Sequence, residues 1–305
     1  MEALETRTSA RPRSGRSSKA SRRSIASHGS RPRPSPLAAL ERPAILGVLN
    51  VTPDSFSDGG KFLDVDRAVA HARTLVEEGA DAIDVGGEST RPNAVAVPEV
   101  EELRRVLPVI ERIRGLAPLS IDTTKAVVAA RALDAGATIV NDVSGATADP
   151  AMLRVVAERG AAIILVHRKG TPRTMNRLAR YHDVVAEVRA FLAERFAAAL
   201  AAGVRRDAIA VDPGIGFAKT LSHNLELLAR LAEIVSLGFP VVVGVSRKRF
   251  LGRLLGGAPP SERGEGTIAA SLLAVSAGAH VVRVHDVAPM SRALRVARSI
   301  WDASS

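Results

Sequence analysis

Residues 158–167 read ERGAAIILVH, which is the end of a helical pattern, a glycine, and a short apolar run that finishes on a polar residue. The same order recurs in EEGADAIDV at 77–85, DAGATIVND at 134–142 and SAGAHVVRVH at 276–285. The glycines of the four stretches are Gly79, Gly136, Gly160 and Gly278. Each stands where a helix can end in a left-handed conformation, which glycine adopts without steric cost. The repeat therefore predicts a helix followed by a buried strand.

Eight apolar runs of this kind follow Pro43. They cover residues 44–49, 82–85, 118–121, 138–141, 162–166, 208–211, 240–245 and 281–284. Amphipathic helical patterns lie between them, for example at 65–79, 98–115 and 183–203. Apolar strands separated by helices are typical of parallel strands that are covered on both faces. Eight such units favour a single-domain (β/α)8 TIM barrel, which usually takes roughly 250 residues; a doubly wound sheet is the alternative.

The first 40 residues differ from the rest in composition. They hold nine of the 42 Lys and Arg residues and two of the 32 Asp and Glu residues, so most of the net charge of +10 lies there. Abundant Ser, Arg and Pro without apolar periodicity predict a disordered tail over 1–40, with the folded barrel domain at 41–305. A plain extension, a targeting peptide and a polyanion-binding arm stay open as roles for this tail.

Composition argues against several functional classes. No window reaches the roughly 18 uninterrupted apolar residues of a transmembrane helix, so we expect no membrane role. Cysteine is absent, which removes disulfides and thiolate chemistry and suits a reducing compartment; we predict a cytoplasmic protein. Because little net charge remains outside the tail, we expect no specific binding of nucleic acid by the folded domain.

Polar residues end the predicted strands. They are Asn50, Asp84, Asp122, Asn141 with Asp142, His167, Asp212, Ser246, and Arg283 with His285. In a parallel barrel these strand ends share one face, where enzymes of this fold build their sites. A single polar strand end often caps the next helix, and we predict such a structural role for Asp84 and Asp142. The full set favours a polar small-molecule site.

The acidic and amide groups indicate one part of the ligand. Asp122, Asn141 and Asp212 follow the third, fourth and sixth predicted strands. Their acceptor oxygens match a heterocycle that presents adjacent N–H donors, as the edge of a 2-amino-4-oxopyrimidine does. No HExxH motif or Cys cluster is present, so no dedicated zinc site is predicted.

Cationic side chains indicate an anionic second part. The candidates are Arg91 in GGESTRP, the basic trio at 247–249 in SRKRF, and Arg283 with His285 in RVHD. The trio stands at a predicted helix start, where positive charge is unfavourable because of the helix dipole. An acidic ligand received at that helix end would offset this cost.

Seven motifs of the chain resemble those of the dihydropteroate synthase family, in that family's order. They are NVTPDSFSDGG (50–60), DVGGESTRP (84–92), SIDT (120–123), NDVSG (141–145), DPGIGFAKT (212–220), SRKRFLG (246–252) and RVHDV (283–287). The resemblance implies an alkyl transferase of folate biosynthesis and a sulfonamide target. It would join 4-aminobenzoate to 6-hydroxymethyl-7,8-dihydropterin diphosphate, giving 7,8-dihydropteroate and pyrophosphate. It also implies a homodimer and Mg²⁺ as cofactor.

The resemblance also assigns roles to single residues. The pterin pocket would comprise Asp122, Asn141, Asp212, Lys248 and Arg283. The diphosphate would be held by Arg91, Arg283 and His285. The 4-aminobenzoate pocket would comprise Thr90, Arg91, Pro92, Phe217, Ser246 and Lys248. Asp58 would approach the electrophilic carbon, and the catalytic group would be Asp58, Arg91, Lys248, Arg283 and His285. Asn50 would contact Mg²⁺, which keeps few protein ligands when phosphates and water complete its shell.

The resemblance leads to a mechanistic expectation. The loop at 51–60 and the GESTRP loop should close over the diphosphate and exclude water. We expect a dissociative reaction, in which pyrophosphate departs with help from Mg²⁺, Arg91, Arg283 and His285 before the arylamine attacks.

Two other pterin proteins are the alternatives, a methyltetrahydrofolate-dependent methyltransferase domain and a catalytically silent paralogue. The first has no use for a diphosphate clamp, and the second should have lost part of the motifs. The chain departs from the family pattern at two places, namely Val166 and Arg168 around His167, where Met-His-Met is usual, and Asn93, where Gly is common. Neither is among the assigned residues, and His167 is expected to be structural.

Overall fold

Eight parallel strands form the centre of the computed structural model, which describes residues 35–37, 40, 43–52 and 61–303 and, of residues 61–64, the backbone alone. They are β1 (Ala44–Asn50), β2 (Ala82–Gly86), β3 (Leu119–Asp122), β4 (Ile139–Asp142), β5 (Ala162–Val166), β6 (Ile209–Asp212), β7 (Val242–Val243) and β8 (Val281–Val284). Their order is β6-β5-β4-β3-β2-β1-β8-β7, and a parallel bridge from Val211 to Val241 brings β6 beside β7. The predicted TIM barrel is confirmed.

Helices connect and cover the strands. They are α1 (Lys61–Glu77), α2 (Glu99–Ile113), α3 (Ala126–Ala135), α4 (Met152–Glu158), α5 (Val184–Ala201), α6 (Leu221–Ala229), α7 (Leu231–Val235), α8 (Arg249–Leu254), α9 (Gly264–Ser276) and α10 (Val287–Asp302). Gly136 ends α3 with a φ of 127° and donates its N–H to the carbonyl of Ala132. All four glycines of the repeat have positive φ, as predicted. In the described part of the chain, no helix has the length and apolar character needed to cross a membrane.

Apolar strands explain how the barrel is held together. Every residue of β2 and of β5 is buried, as expected for strands covered on both faces. A larger buried cluster includes β1 to β5 and β8, and a smaller one joins residues of β6 and β7 to α5, α6 and α7. Because both faces are packed, the polar residues at the strand ends are held on a rigid support.

The start of the packed region lies earlier than the predicted domain boundary. Residues 1–34, 38, 39, 41 and 42 lie outside the described residues, so the disordered tail stays a prediction for them. Of the same stretch, Ser35 and Leu37 are buried. Ser35 donates its hydroxyl to the carbonyl of Asp207, and Leu37 belongs to the larger core cluster. The chain is therefore already packed at Ser35.

Candidate active site

One cavity of about 920 Å³ opens at the carboxyl ends of the strands. Its lining includes Asn50, Thr90, Arg91, Pro92, Asp122, Asn141, Asp212, Phe217, Ser246, Lys248, Arg283 and His285. These are all of the predicted site residues that the structure describes. The predicted site residue Asp58 and the rest of residues 53–60 lie outside the described part. The cavity is on the barrel face where this fold builds its sites.

Arg283 is held by two acids. Its Nε donates to Asp84 Oδ2 at 2.6 Å, and a terminal nitrogen donates to Asp122 Oδ2 at 2.8 Å. Burial disfavours the guanidinium charge, but Asp84 and Asp122 together raise the pKa of Arg283 above its ordinary value. The predicted role of Asp84 as a helix cap is wrong, because no side chain caps α2 and the Asp84 carboxylate is bonded to Arg283 and to Asn141.

The acids of the predicted pterin pocket are buried acceptors. Burial raises the pKa of Asp122 to about 7, although Arg283 opposes the shift. Burial also raises the pKa of Asp212, against the attraction of Lys248, and Asp212 Oδ1 accepts the N–H of Gly214 at 2.6 Å. Asn141 donates its Nδ2 to Asp84 Oδ2 at 2.9 Å. The neighbouring Asp142 accepts from the Ser144 hydroxyl and the Ser144 N–H, which is a structural role. Its predicted role as a helix cap is wrong, because no side chain caps α4.

Lys248 crosses the cavity towards the loop after β6. Its Nζ donates to the carbonyl of Ile215 and lies 4.8 Å from the centroid of the Phe217 ring. Burial lowers the pKa of Lys248 to about 8, although Asp212 opposes the shift. Gly216, which stands between Ile215 and Phe217 in the chain, has a φ of 88°, and a Cβ there would lie 3.0 Å from Lys248 Cδ. The glycine thus lets the loop pass close to the lysine stem.

The three residues of the basic trio all line the cavity, but their side chains have different surroundings. Arg247 has a φ of 57° and donates its Nε to Asp286 Oδ2 at 2.9 Å. Arg249 is exposed at the rim, whereas Lys248 points into the barrel. Arg247, Lys248 and Arg249 therefore stay candidate anion binders, although the charge of Arg247 is already balanced by Asp286.

His285 and Ser246 join the last two strands of the barrel. The Ser246 hydroxyl oxygen lies 3.0 Å from His285 Nδ1 and accepts the backbone N–H of His285 at 3.1 Å. Burial, with Arg283 nearby, lowers the pKa of His285 to about 3. The imidazole is therefore neutral at ordinary pH, so it can meet an anion by a hydrogen bond and not by charge.

Lys219 is a site residue that the sequence analysis missed. It lines the cavity, lies 2.9 Å from His167 Nδ1 and donates to the Phe217 carbonyl at 3.0 Å. Burial lowers its pKa well below the ordinary value. His167 is 2% exposed and has a pKa lowered by burial to about 2, which suits the structural role expected for it. Lys219 directly follows the apolar residues Phe217 and Ala218, and this was the sequence signal that its amine is buried.

A second missed group supports the GESTRP loop. Lys125 pairs with Glu88 of that loop and with Glu102 of α2. Glu102 is fully buried, and burial raises its pKa although Lys125 opposes the shift. Its position four residues before Val106, on the apolar face of α2, was the sequence signal for a buried acid.

The two departures from the family pattern have different surroundings. Asn93 has a φ of 66° and donates its N–H to the carbonyl of Pro172 at 3.0 Å. Glycine and asparagine both tolerate this left-handed conformation, which explains the exchange. Arg168 Nε is buried with no hydrogen-bond partner among the described residues, and burial lowers the pKa of this side chain.

Asn50 ends β1 and lines the cavity beside Gly86. A Cβ at Gly86 would lie 3.7 Å from Asn50 Oδ1, so the glycine leaves the amide room. Within the described residues, no group of three or more His, Cys, Asp or Glu side chains could hold a metal ion. The Asn50 amide oxygen fits a hard cation such as Mg²⁺, which can take one protein oxygen and complete its shell with phosphates and water.

Comparison with known proteins gives one consistent family. Residues 46–285 match the family model described as pterin binding enzyme. Dihydropteroate synthase of Synechocystis sp. is 48% identical over 263 residues, which cover 86% of this chain and 91% of that protein.

Solved structures agree with this result. Xanthomonas albilineans dihydropteroate synthase with 4-aminobenzoic acid has a TM-score of 0.81 and 48% identity, covering 86% of this chain and 94% of that one. The same enzyme in complex with 7,8-dihydropteroate has a TM-score of 0.78 and 46% identity over the same shares. The chain therefore belongs to the dihydropteroate synthase family of pterin-binding enzymes.

Proposed function

We propose that this protein condenses 6-hydroxymethyl-7,8-dihydropterin diphosphate with 4-aminobenzoate in folate biosynthesis. The amine nitrogen forms a bond to the pterin methylene carbon, the bond from that carbon to the diphosphate oxygen breaks, and the amine loses a proton. The observation that carries the proposal is a single cavity lined both by the buried acceptors Asp122, Asn141 and Asp212 and by Arg91, Arg283 and His285. The family relationship and the ligands of the Xanthomonas albilineans structures support it.

The pterin ring would bind among the acids of the strands. Asp122 and Asp212 accept from the adjacent N–H groups of the 2-amino-4-oxo edge, each carboxylate being able to accept two hydrogen bonds. Lys248 reaches the same pocket above Asp212, whose charge acts on it. A ring that leaves these buried acceptors without donors would bind poorly.

The arylamine would bind against the loops. Phe217 offers an aromatic face beside Lys248, and Thr90, Arg91 and Pro92 line the other side of the cavity. The Ser246 hydroxyl is available to the carboxylate, although it also contacts His285. Because these residues lie on loops and strand ends, the arylamine approaches the pterin from the mouth of the barrel.

The diphosphate would lie between Arg91, Arg283 and His285, with Mg²⁺ on Asn50. Among the described residues the Arg91 side chain makes no ion pair, so its charge is available to the anion. Mg²⁺, when bound, would neutralise charge that develops on the diphosphate oxygens. Asp58 keeps its predicted role near the methylene carbon.

The chemical step is proposed to be dissociative. Arg91 and Arg283 stabilise the leaving group, the pterin ring spreads the positive charge left on the methylene carbon, and the arylamine then attacks. Measured at saturating substrates with a series of substituted anilines, the rate of the chemical step should depend weakly on amine basicity. A steep dependence would contradict this mechanism.

The two alternatives receive less support. A methyltransferase domain would have no need for the cationic side chains of Arg91 and Arg283 in the cavity. A silent paralogue should have lost part of the acceptor set, whereas Asp122, Asn141 and Asp212 all line the cavity. Both readings predict pterin binding without release of pyrophosphate.

We also propose a homodimer, with its interface on α9 and α10. These neighbouring helices carry large exposed apolar side chains, since Leu273 is 70%, Val296 62% and Ile300 64% exposed. Light scattering after gel filtration should give twice the chain mass, and the double variant Val296→Glu with Ile300→Glu should give the single mass. A monomeric wild-type protein would contradict the proposal.

The decisive test is release of pyrophosphate by the purified protein with dihydropterin diphosphate and Mg²⁺, with and without 4-aminobenzoate. We expect release that depends on the amine and yields dihydropteroate. Asn50→Ala and Lys248→Ala should both lower the rate, and varying Mg²⁺ at each should show a higher metal requirement in Asn50→Ala alone. Pterin binding without turnover would favour a binding protein.

A further inference from the structure

We infer that Asp84, which does not itself line the cavity, is a positioning residue that makes the pterin pocket selective for a ring edge with N–H donors at adjacent positions. The inference rests on the proposed function and concerns how the same site chooses its ring. Asp84 lies within β2 and its side chain is fully buried. Its two hydrogen-bond partners, Asn141 and Arg283, both line the cavity.

A single carboxylate oxygen links three strands of the barrel. Asp84 Oδ2 accepts from Arg283 Nε at 2.6 Å and from Asn141 Nδ2 at 2.9 Å. In the strand order β4-β3-β2-β1-β8, the partners stand two strands away from β2 on opposite sides. Asp84 therefore spans the barrel interior beneath the site, where it can fix both partners at once.

Asp84 determines which way the Asn141 amide faces. The same Asp84 oxygen is the acceptor in both contacts, so Asn141 turns its Nδ2 and not its oxygen towards Asp84. The amide oxygen then faces elsewhere, and it is buried with no partner among the described residues. Together with the carboxylates of Asp122 and Asp212, this oxygen gives the pterin pocket three acceptor groups beside the donors Lys248 and Arg283. A ring that presents acceptors to it would leave buried oxygens unpaired.

Asp84 also fixes the plane of the Arg283 guanidinium. Nε is bonded to Asp84 and one terminal nitrogen to Asp122, so two of the three nitrogens are held within the barrel. The other terminal nitrogen has no partner among the described residues and remains for a ligand. Because the guanidinium is planar, fixing two nitrogens fixes the direction of the third.

The test is the substitution Asp84→Asn, which keeps the shape of the side chain but adds a donor. The Asn141 side-chain amide is then no longer held in one orientation, and its nitrogen can turn towards the pterin ring. Binding of two probes is measured by calorimetry, a 2-amino-4-oxopteridine and a 2,4-diaminopteridine, which present a donor N–H and an acceptor nitrogen, respectively, at ring position 3. We expect wild type to prefer the first probe and Asp84→Asn to lose roughly tenfold or more of that preference. The KM for the pterin substrate should rise more than the KM for 4-aminobenzoate.

A matched control separates positioning from folding. Asp142→Asn makes the same change at the end of the neighbouring strand, where the acid holds a turn through Ser144. It should lower the melting temperature and leave the preference between the probes unchanged. The double exchange Asp84→Asn with Asn141→Asp puts the amide donor at position 84 and the carboxylate acceptor at position 141. It should therefore recover the preference for the 2-amino-4-oxopteridine.

The outcomes distinguish this inference from the proposed function. A wild-type protein that binds neither probe and makes no dihydropteroate overturns the function and this inference with it. An active wild type whose preference survives in Asp84→Asn within about twofold overturns the positioning role alone. If Asp84→Asn does not fold, the double exchange is decisive. A folded double variant that does not prefer the 2-amino-4-oxopteridine overturns the positioning role of Asp84 as well.

Discussion

Ser246 Oγ accepts the backbone N–H of His285 at 3.1 Å and lies 3.0 Å from Nδ1 of the same residue, so one hydroxyl fixes both the chain and the ring. Ser246→Ala should therefore leave a part-buried N–H unpaired, which costs about 1–3 kcal/mol. We expect a lower melting temperature and a higher KM for 4-aminobenzoate. Ser271→Ala is the control, because that buried hydroxyl has no partner among the described residues; an equal effect of the two substitutions would contradict the argument.

The pH dependence of kcat/KM for the pterin substrate should be bell-shaped. Asp122, with a pKa of about 7, loses its acceptor character when it is protonated, so the acidic limb should fall below that pH. Lys248, with a pKa of about 8, loses its charge above that pH, which gives the alkaline limb. Lys248→Arg keeps the charge at high pH and should remove the alkaline limb while the acidic one stays. A profile of Lys248→Arg that still falls at high pH would exclude Lys248 as its cause.

Lys125→Met should destabilise the fold, because it leaves the fully buried Glu102 without its cation. Breaking such a pair costs about 3 kcal/mol or more. The pKa of Glu102 is raised, so its neutral form is favoured in the folded state and the penalty appears as the pH rises through the folded pKa. The deficit, measured by urea unfolding, should therefore narrow at lower pH. In the double variant Lys125→Met with Glu102→Gln, the loss of unfolding free energy should be smaller than the sum of the losses in the two single variants. Additive losses would show that the pair is not coupled.

Asn93 tests the backbone of the GESTRP loop. Because its φ is 66°, Asn93→Gly should be neutral or slightly stabilising, whereas Asn93→Val should cost about 1–2 kcal/mol. Thermal unfolding measures this difference, and the KM for 4-aminobenzoate reports on the adjoining Thr90 and Pro92. Ala96→Val, at an exposed position of the same loop without positive φ, should have little effect. Equal losses at both positions would point to side-chain bulk instead of backbone strain.

The barrel was predictable because its signal is local and repeated. The run at 162–166 and the run at 281–284 coincide with β5 and β8. The run at 240–245 was too long, because β7 is limited to Val242–Val243. Pro240 has no N–H to donate to a neighbouring strand. Gly244 lies next to the Arg283 side chain, where an added Cβ would be 3.7 Å from Arg283 Cβ.

The site was predictable as a set of residues and not as a set of contacts. Asp122, Lys248 and Arg283, which were predicted from the motifs, all line one cavity. The pairing of Arg283 with Asp84 joins residues 199 positions apart, and no spacing in the chain encodes it. The left-handed conformation of Arg247 was equally hidden, since arginine rarely adopts it.

The cavity has two ends of different construction. Asp122, Asn141 and Asp212 belong to strands whose other residues are core, whereas Thr90, Pro92 and Phe217 belong to loops. Loops accept substitutions that a packed strand does not. Variation under selection should therefore accumulate at the arylamine end, where a changed loop can discriminate between similar anilines. A compound confined to the strand-built end would meet a surface with few viable replacements, and the protein would have little room to escape it without losing its own substrate.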